Sequence, residues 1–204
     1  GLDDRGAVAE WGRSSDVPIV SDECYVEVPW SGVSAVPGMP PGRTILEHGT
    51  EGVVAVHSLS KRSNLAGLRV GFYAGDEALV SYLSEVRKHS GFMVPGPAQA
   101  AAVAALGDQV HVEAQRELYL ERMAIMSRLL ESMGVPTELP DGAFYLWVPA
   151  PGGDAWGLAR RLAEELGVVG SPGEFYGDAA AGHVRLAMVQ PRAALESLTG
   201  RSRA

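Results

Sequence analysis

The chain has 204 residues, of which 46% are hydrophobic and 21% charged; this excludes disorder, collagen and coiled coil, and allows a sizeable core divided between two lobes. Its 17 basic and 25 acidic side chains give a formal net charge of −8, and no run of Lys or Arg forms the stripe that a phosphate backbone requires, so nucleic acid is not an expected partner. The one cysteine, Cys24, cannot form an intramolecular disulfide, no apolar run reaches the roughly 18–20 residues of a membrane-spanning helix, and the cytoplasm is the expected location.

The chain opens Gly1-Leu2-Asp3-Asp4, with neither a Met nor the basic and apolar regions of a signal peptide. Asp3 or Asp4 is placed to cap a helix through Ala7, Val8, Ala9 and Trp11, so the chain is expected to begin in the middle of a domain. The apolar run from Val17 to Val20, closed by Ser21 and Asp22, reads as a buried strand whose C-terminal end delivers side chains to a site. Residues 29–43 are rich in Pro, Gly and Ser and read as a long surface loop, a candidate lid. Residues 52–57 form a second strand running into Ser58-Leu59-Ser60-Lys61, and residues 68–74 a third, an alternation that points to α/β layering.

Asp76 is placed to cap a helix whose apolar face is Leu79, Val80, Leu83 and Val86, and Pro95-Gly96-Pro97 breaks it. Residues 98–106 and 110–133 have helical periods, with Gly107-Asp108 between them. Beyond lie a strand over 144–148, a helix from Asp154 to Leu166 ending at Gly167, strands over 168–169 and 183–189, and a last helix from Pro191. The expected division is a large-domain part over 1–105 and a small α+β domain over 106–204.

The most specific text is Ser58-Leu59-Ser60-Lys61-Arg62-Ser63-Asn64-Leu65-Ala66-Gly67-Leu68-Arg69, a lysine at a strand end flanked by hydroxyls and followed eight positions later by Arg69. Hydroxyls and a guanidinium bind phosphate through charge-assisted hydrogen bonds, while nearby positive charge and burial free a lysine amine to attack a carbonyl. A lone lysine beside serine and arginine is ordinarily a solvated charge; the spacing to Arg69 and the Asp-x-x-Tyr pattern of Asp22 and Tyr25 after an apolar strand argue for chemistry instead.

Ser-x-Ser-Lys with its following arginine, preceded by Ser21-Asp22-Glu23-Cys24-Tyr25, resembles the pyridoxal-phosphate-dependent aminotransferases of fold type I, class I/II. The resemblance extends to Gly142-Ala143-Phe144-Tyr145, to the substrate-covering loop at Ser171-Pro172-Gly173-Glu174-Phe175-Tyr176-Gly177, and to the strand Gly182-His183-Val184-Arg185-Leu186-Ala187-Met188, so it spans nearly the whole chain. It implies a three-layer α/β/α large-domain part with a small α+β C-terminal domain, pyridoxal 5′-phosphate as cofactor, and a homodimer acting on amino-acid and 2-keto-acid substrates. By the same resemblance Lys61 forms the Schiff base and shuttles the proton between the substrate α-carbon and cofactor C4′. Asp22 keeps the pyridinium nitrogen protonated, Tyr25 hydrogen-bonds the phenolic oxygen, Ser58, Ser60 and Arg69 hold the phosphate, and Arg185 clamps the substrate carboxylate.

Within the family the wording is most similar to bacterial succinyldiaminopimelate aminotransferases of lysine biosynthesis, which implies glutamate as amino donor. Family members are longer, and residue 1 falls where their Asn-Pro-Thr-Gly turn ends; the chain is therefore expected to be the C-terminal part of such an enzyme, lacking part of the cofactor cup. The same residues serve a β-elimination C–S lyase, and a non-catalytic aminotransferase-like ligand-sensing domain is the alternative from another class. His57, His89 and His183 lack partners at metal spacing, and no metal is expected. Cys24 reads as a small buried filler, Trp30 and Trp147 as core or interface, and Arg201 and Arg203 as a frayed tail.

Overall fold

The computed structural model describes residues 2–30 and 42–199, so the middle of the expected 29–43 loop, and Arg201 and Arg203, lie outside the described residues. The chain divides into two compact units, Gly1–Val112 and Glu113–Ala204.

The first unit is built on a three-stranded sheet of β1 (Ile19–Asp22), β2 (Val53–Ser58) and β3 (Gly71–Gly75), in that order. β1 and β2 run parallel with Asp22 opposite Val56, whereas β3 pairs antiparallel to β2 with Ser58 opposite Gly71. The apolar run Val53-Val54-Ala55-Val56, three of its four residues β-branched, suits a central strand buried on both faces. Helix α1 (Leu2–Ser15) and the 3-10 turn Ile45–His48 cover the sheet through a cluster of Ala9, Ile45, Val53 and Ala55, with Ile19 and Leu46 packed against it. Asp3 and Asp4 lie inside α1, because the helix already runs at Leu2; the cap expected at those residues is not where the helix begins.

Strand β2 ends at Ser58, whose side chain caps the short helix α2 (Leu59–Arg62) by accepting from the Ser60 amide at 3.2 Å. The stretch 68–74 yields a strand only from Gly71, since Ala66–Leu68 forms a 3-10 turn and Arg69 turns left-handed at φ 54°. Asp76 caps α3 (Glu77–His89) as expected, accepting from the Leu79 amide at 3.0 Å, and also accepts from the Gly52 amide at 3.0 Å. The apolar face expected on α3 does not become core: none of its residues is buried. Helix α4 (Gly96–Leu106) contributes Ala102 to a second cluster with Leu59 and Val70, and α5 (Val110–Ser132) leads out of the unit.

The second unit holds the remainder of α5, β4 (Tyr145–Pro149), α6 (Ala155–Leu166), β5 (Ser171–Pro172), β6 (His183–Ala187) and α7 (Arg192–Leu198). Its sheet has the order β4-β6-β5 with both pairings antiparallel. Ala155, Leu158, Leu162 and Leu166 recur at intervals of three and four and put one face of α6 into the core, where Leu146, Val148, Val184 and Leu186 of the sheet are buried as well. Each buried leucine contributes about 1.5–3 kcal/mol relative to exposure. Asp154 caps α6, and Gly167 ends it in the left-handed region at φ 71°, where a side chain is disfavoured. Val168 and Val169 are not a strand; Val169 is exposed, and the ladder to β6 is made by Ser171 and Pro172. Among the described residues no helix is long and apolar enough to cross a membrane.

Candidate active site

Two neighbouring parallel strands, β1 and β2, end on the same side of the first sheet, and the singled-out residues follow directly from those ends. Carboxyl ends of adjacent parallel strands are where open α/β sheets place ligand sites, since the loops leaving them diverge into a crevice. Asp22 is the last residue of β1, and the chain then turns through Cys24 and Tyr25. Ser58 is the last residue of β2, followed within one helical turn by Ser60 and Lys61.

The structure brings Lys61 and Tyr25 together: the lysine Nζ sits 5.8 Å from the centroid of the Tyr25 ring. Cys24 connects this pair to Asp22. Its amide donates to Asp22 Oδ1 at 3.0 Å, its thiol hydrogen-bonds the same carboxylate, and both bonds hold the Asp22 carboxyl below its ordinary value. A carboxylate has about four lone-pair sites, so Asp22 keeps capacity for a further donor. The Cys24 thiol is pushed up to about 11, first by burial, then by its hydrogen bond to Asp22 and by that residue's charge, with the Lys61 charge opposing.

Ser58 uses a lone pair to cap α2, which leaves its hydroxyl proton able to donate. Arg69 is exposed at the opposite end of the same short segment, and its Nη1 donates to the Ala66 carbonyl at 3.0 Å. The Arg69 backbone is tied to the lysine helix through its neighbour, because the Leu59 amide donates to the Val70 carbonyl at 3.2 Å. Arg185 belongs to the second unit, on β6, where its Cζ lies 4.6 Å from the Tyr145 ring centroid and 4.7 Å from that of Tyr176.

The donor set in the first unit suits pyridoxal phosphate. An aspartate held anionic fits a protonated pyridine nitrogen, a lysine amine beside a phenol fits the aldehyde and its neighbouring phenolic oxygen, and two hydroxyls with an arginine fit the phosphate. Among the described residues no cluster of three or more His, Cys, Asp or Glu converges as a metal site would require.

Three features behind the site escape a reading of the sequence. Glu23 is buried, accepts from the Ser21 hydroxyl at 3.1 Å and from the Ile45 amide at 2.8 Å, and directs its other oxygen toward His57 Nε2 at 3.6 Å. His57, expected in packing or at the surface, stacks on Phe72 with centroids 4.7 Å apart. Arg62, next to Lys61, donates to Glu27 at 3.3 Å, to the Ala105 carbonyl at 2.8 Å and to Gln109 at 2.8 Å. A charged residue inside an apolar strand-and-turn segment is the local sign of Glu23; Arg62 has none, because apart from the adjacent Ser63 its partners are 35 to 47 positions away.

The known proteins that this chain resembles are aminotransferases. A 4-dedimethylamino-4-oxo-anhydrotetracycline transaminase, OxyQ, of Streptomyces rimosus is 43% identical over 88% of this chain and 49% of its own length. An LL-diaminopimelate aminotransferase of Aquifex aeolicus is 31% identical over 90% of this chain and 47% of its own. The crystal structure of an aminotransferase from Neisseria meningitidis is 32% identical and superposes with a TM-score of 0.81, covering 98% of this chain and 53% of that one. The chain thus spans about half the length of the curated relatives it matches. With the family model for aminotransferase class I and II matching residues 4–201, on a fold shared with solved aminotransferases, the chain belongs to that family of pyridoxal-phosphate-dependent proteins.

Proposed function

We propose that the protein carrying this chain is a transaminase that moves an amino group between an amino acid and a 2-keto acid, with Lys61 as its catalytic residue. The observation that carries this reading is the convergence of the Lys61 amine, the Tyr25 ring and the Cys24-bound Asp22 carboxylate at the ends of β1 and β2. When bound, pyridoxal phosphate supplies an electron sink for the charge that develops at the substrate α-carbon. Asp22 holds a proton at the ring nitrogen, Tyr25 donates to the phenolic oxygen, and Ser58, Ser60 and Arg69 bind the phosphate. The Lys61 amine would hold the aldehyde end of the cofactor and would serve as the base that moves the proton at the substrate α-carbon. Arg185 takes the substrate α-carboxylate through two parallel N–H donors.

For the substrate pair we propose N-succinyl-diaminopimelate and glutamate, within lysine biosynthesis, and for the working state a cytoplasmic homodimer. The similarity to a relative named for diaminopimelate supports the substrate class, while a relative of higher identity is named for a tetracycline intermediate. The test uses the full-length protein loaded with pyridoxal phosphate, reduced with borohydride and mapped by peptide mass. A pyridoxyl group on Lys61 is expected, absent after Lys61→Ala; a wild-type protein unlabelled at Lys61 removes the catalytic reading and leaves a fold used for binding. Release of 2-oxoglutarate from glutamate with the succinylated keto acid as acceptor is the expected activity; release of pyruvate, ammonia and a thiol from an amino acid carrying a thioether at its β-carbon, with no such transfer from glutamate, would mark a lyase.

A further inference from the structure

The outward face of the second sheet carries a cluster that the roles above leave unexplained. Strand alternation sends Leu146, Val148, Val184 and Leu186 into the core and leaves Tyr145, Trp147, His183 and Arg185 on the opposite face. Register places Trp147 directly across from Arg185, and Trp147 stacks on His183 with centroids 5.3 Å apart. The edge of Trp147 also meets Tyr176 at 5.8 Å. Tyr176 reaches this face from outside the sheet, at the end of the 3-10 turn Gly173–Tyr176. That turn follows a path only glycine permits, since a Cβ on buried Gly173 would run into the Ala180 carbonyl oxygen.

The Arg185 guanidinium therefore lies against two tyrosine rings, Tyr145 from the neighbouring strand and Tyr176 from the turn, at 4.6 and 4.7 Å. Rings engage the faces of a guanidinium; its N–H donors all lie in its plane and remain directed at its edges. A guanidinium held against two rings has its rotation about its own long axis restricted, and that rotation decides whether two donors or one meet a planar carboxylate.

We propose that Tyr176 and Tyr145 are positioning residues for Arg185, setting the plane in which it presents paired donors to a carboxylate, and that the ring of Tyr176, not its hydroxyl, does this. The inference rests on the assignment of Arg185 as the carboxylate clamp. Tyr176 is about half exposed, so its replacement leaves the core of the unit untouched.

The experiment uses the full-length, cofactor-loaded protein, with glutarate as an unreactive dicarboxylate whose binding is read from the cofactor's absorbance, and glutamate as donor. For Tyr176→Leu, the glutarate Kd and the KM for glutamate are expected to rise about tenfold, with kcat changing by less than about twofold. Tyr176→Phe is expected to stay within about twofold of wild type in all three, because the ring is kept. Arg185→Lys, which keeps the charge and loses the planar fork, is the companion. If it loses glutarate while Tyr176→Leu binds as wild type does, the positioning role is overturned and the clamp stands. If Tyr176→Phe loses as much as Tyr176→Leu, the hydroxyl is the active group and the ring argument fails. Wild-type protein that leaves glutarate unbound, or an Arg185→Lys variant that binds it as tightly as wild type, removes the clamp and the inference with it.

Discussion

The amide of Ile45 donates to the carboxylate of Glu23 across 22 positions of chain, in a buried hydrogen bond of 2.8 Å. Glu23 follows Asp22 directly, and Ile45 anchors the 3-10 turn that covers the first sheet, so this bond joins the candidate site to the core beneath it. Truncation by Glu23→Ala strands the Ile45 N–H in a buried position and is expected to cost about 2–3 kcal/mol. Glu23→Gln keeps an acceptor for that amide and points its NH2 toward His57, and is expected to recover most of the loss. Urea unfolding of the three proteins decides the matter; equal stability of wild type and Glu23→Ala would show that the bond contributes nothing.

Arg62 joins the lysine-bearing helix to the end of α4. Its side chain is 10% exposed and paired with Glu27, while Nη1 satisfies the Ala105 carbonyl near the helix C-terminus, where a cation is favourable. Arg62→Ala is expected to destabilise the protein by about 1.5–3 kcal/mol through loss of its charge-assisted bonds to Glu27, Gln109 and the Ala105 carbonyl. Arg62→Lys is expected to fall between, since one ammonium cannot reach three partners set for a fork. Thermal unfolding orders the variants, and slower pyridoxyl labelling of Lys61 in Arg62→Ala is the accompanying sign; an order with lysine no better than alanine contradicts the account.

Gly173 is the one residue type its position accepts. A methyl group there meets the backbone oxygen of Ala180, which cannot swing aside as a flexible side chain would. Gly173→Ala is expected to cost about 1–3 kcal/mol by overpacking and to loosen the turn that carries Tyr176. Limited proteolysis is expected to cut faster between residues 173 and 180. Unchanged cleavage and stability would mean that the turn has another path open to it.

Cys24 offers a pH-dependent readout of the site. Its thiol is raised from 9.0 to about 11 by burial and by Asp22, so the folded state favours the neutral form. The associated stability is complete below the unfolded value and is lost as pH rises from 9.0 through about 11, where the folded protein must also ionise. Alkylation by iodoacetamide, mapped at Cys24 in cofactor-free protein, is expected to accelerate with pH until about 11, and Asp22→Asn to move the inflection downward. An inflection at or below 9.0 in the wild type would contradict the burial and the Asp22 contact together.

Features that depend on near neighbours are legible in the residues alone. The hydroxyls flanking Lys61, the cap at Asp76 and the glycine stop at Gly167 each follow from residues within one turn, and each is found where those residues place it; the apolar run before Asp22, expected as a buried strand, becomes a strand only from Ile19 and buries none of its residues, with Val20 67% exposed. Local reading failed where local signals competed. Val168 and Val169 have strand composition, yet the ladder falls to Ser171 and Pro172; the stretch before Gly71 is apolar, yet Arg69 adopts a left-handed backbone that ends the 3-10 turn. Which side chains support the candidate site is fixed by long-range packing. Glu23 meets Ile45, Arg62 meets Gln109 and Arg185 meets Tyr145 because strands and turns distant in the chain are packed together, and no spacing in the sequence encodes which partner a buried charge will find. The physical reason is that propensity acts over a few residues, whereas a buried polar group is satisfied by whatever donor the folded topology brings within about 3 Å.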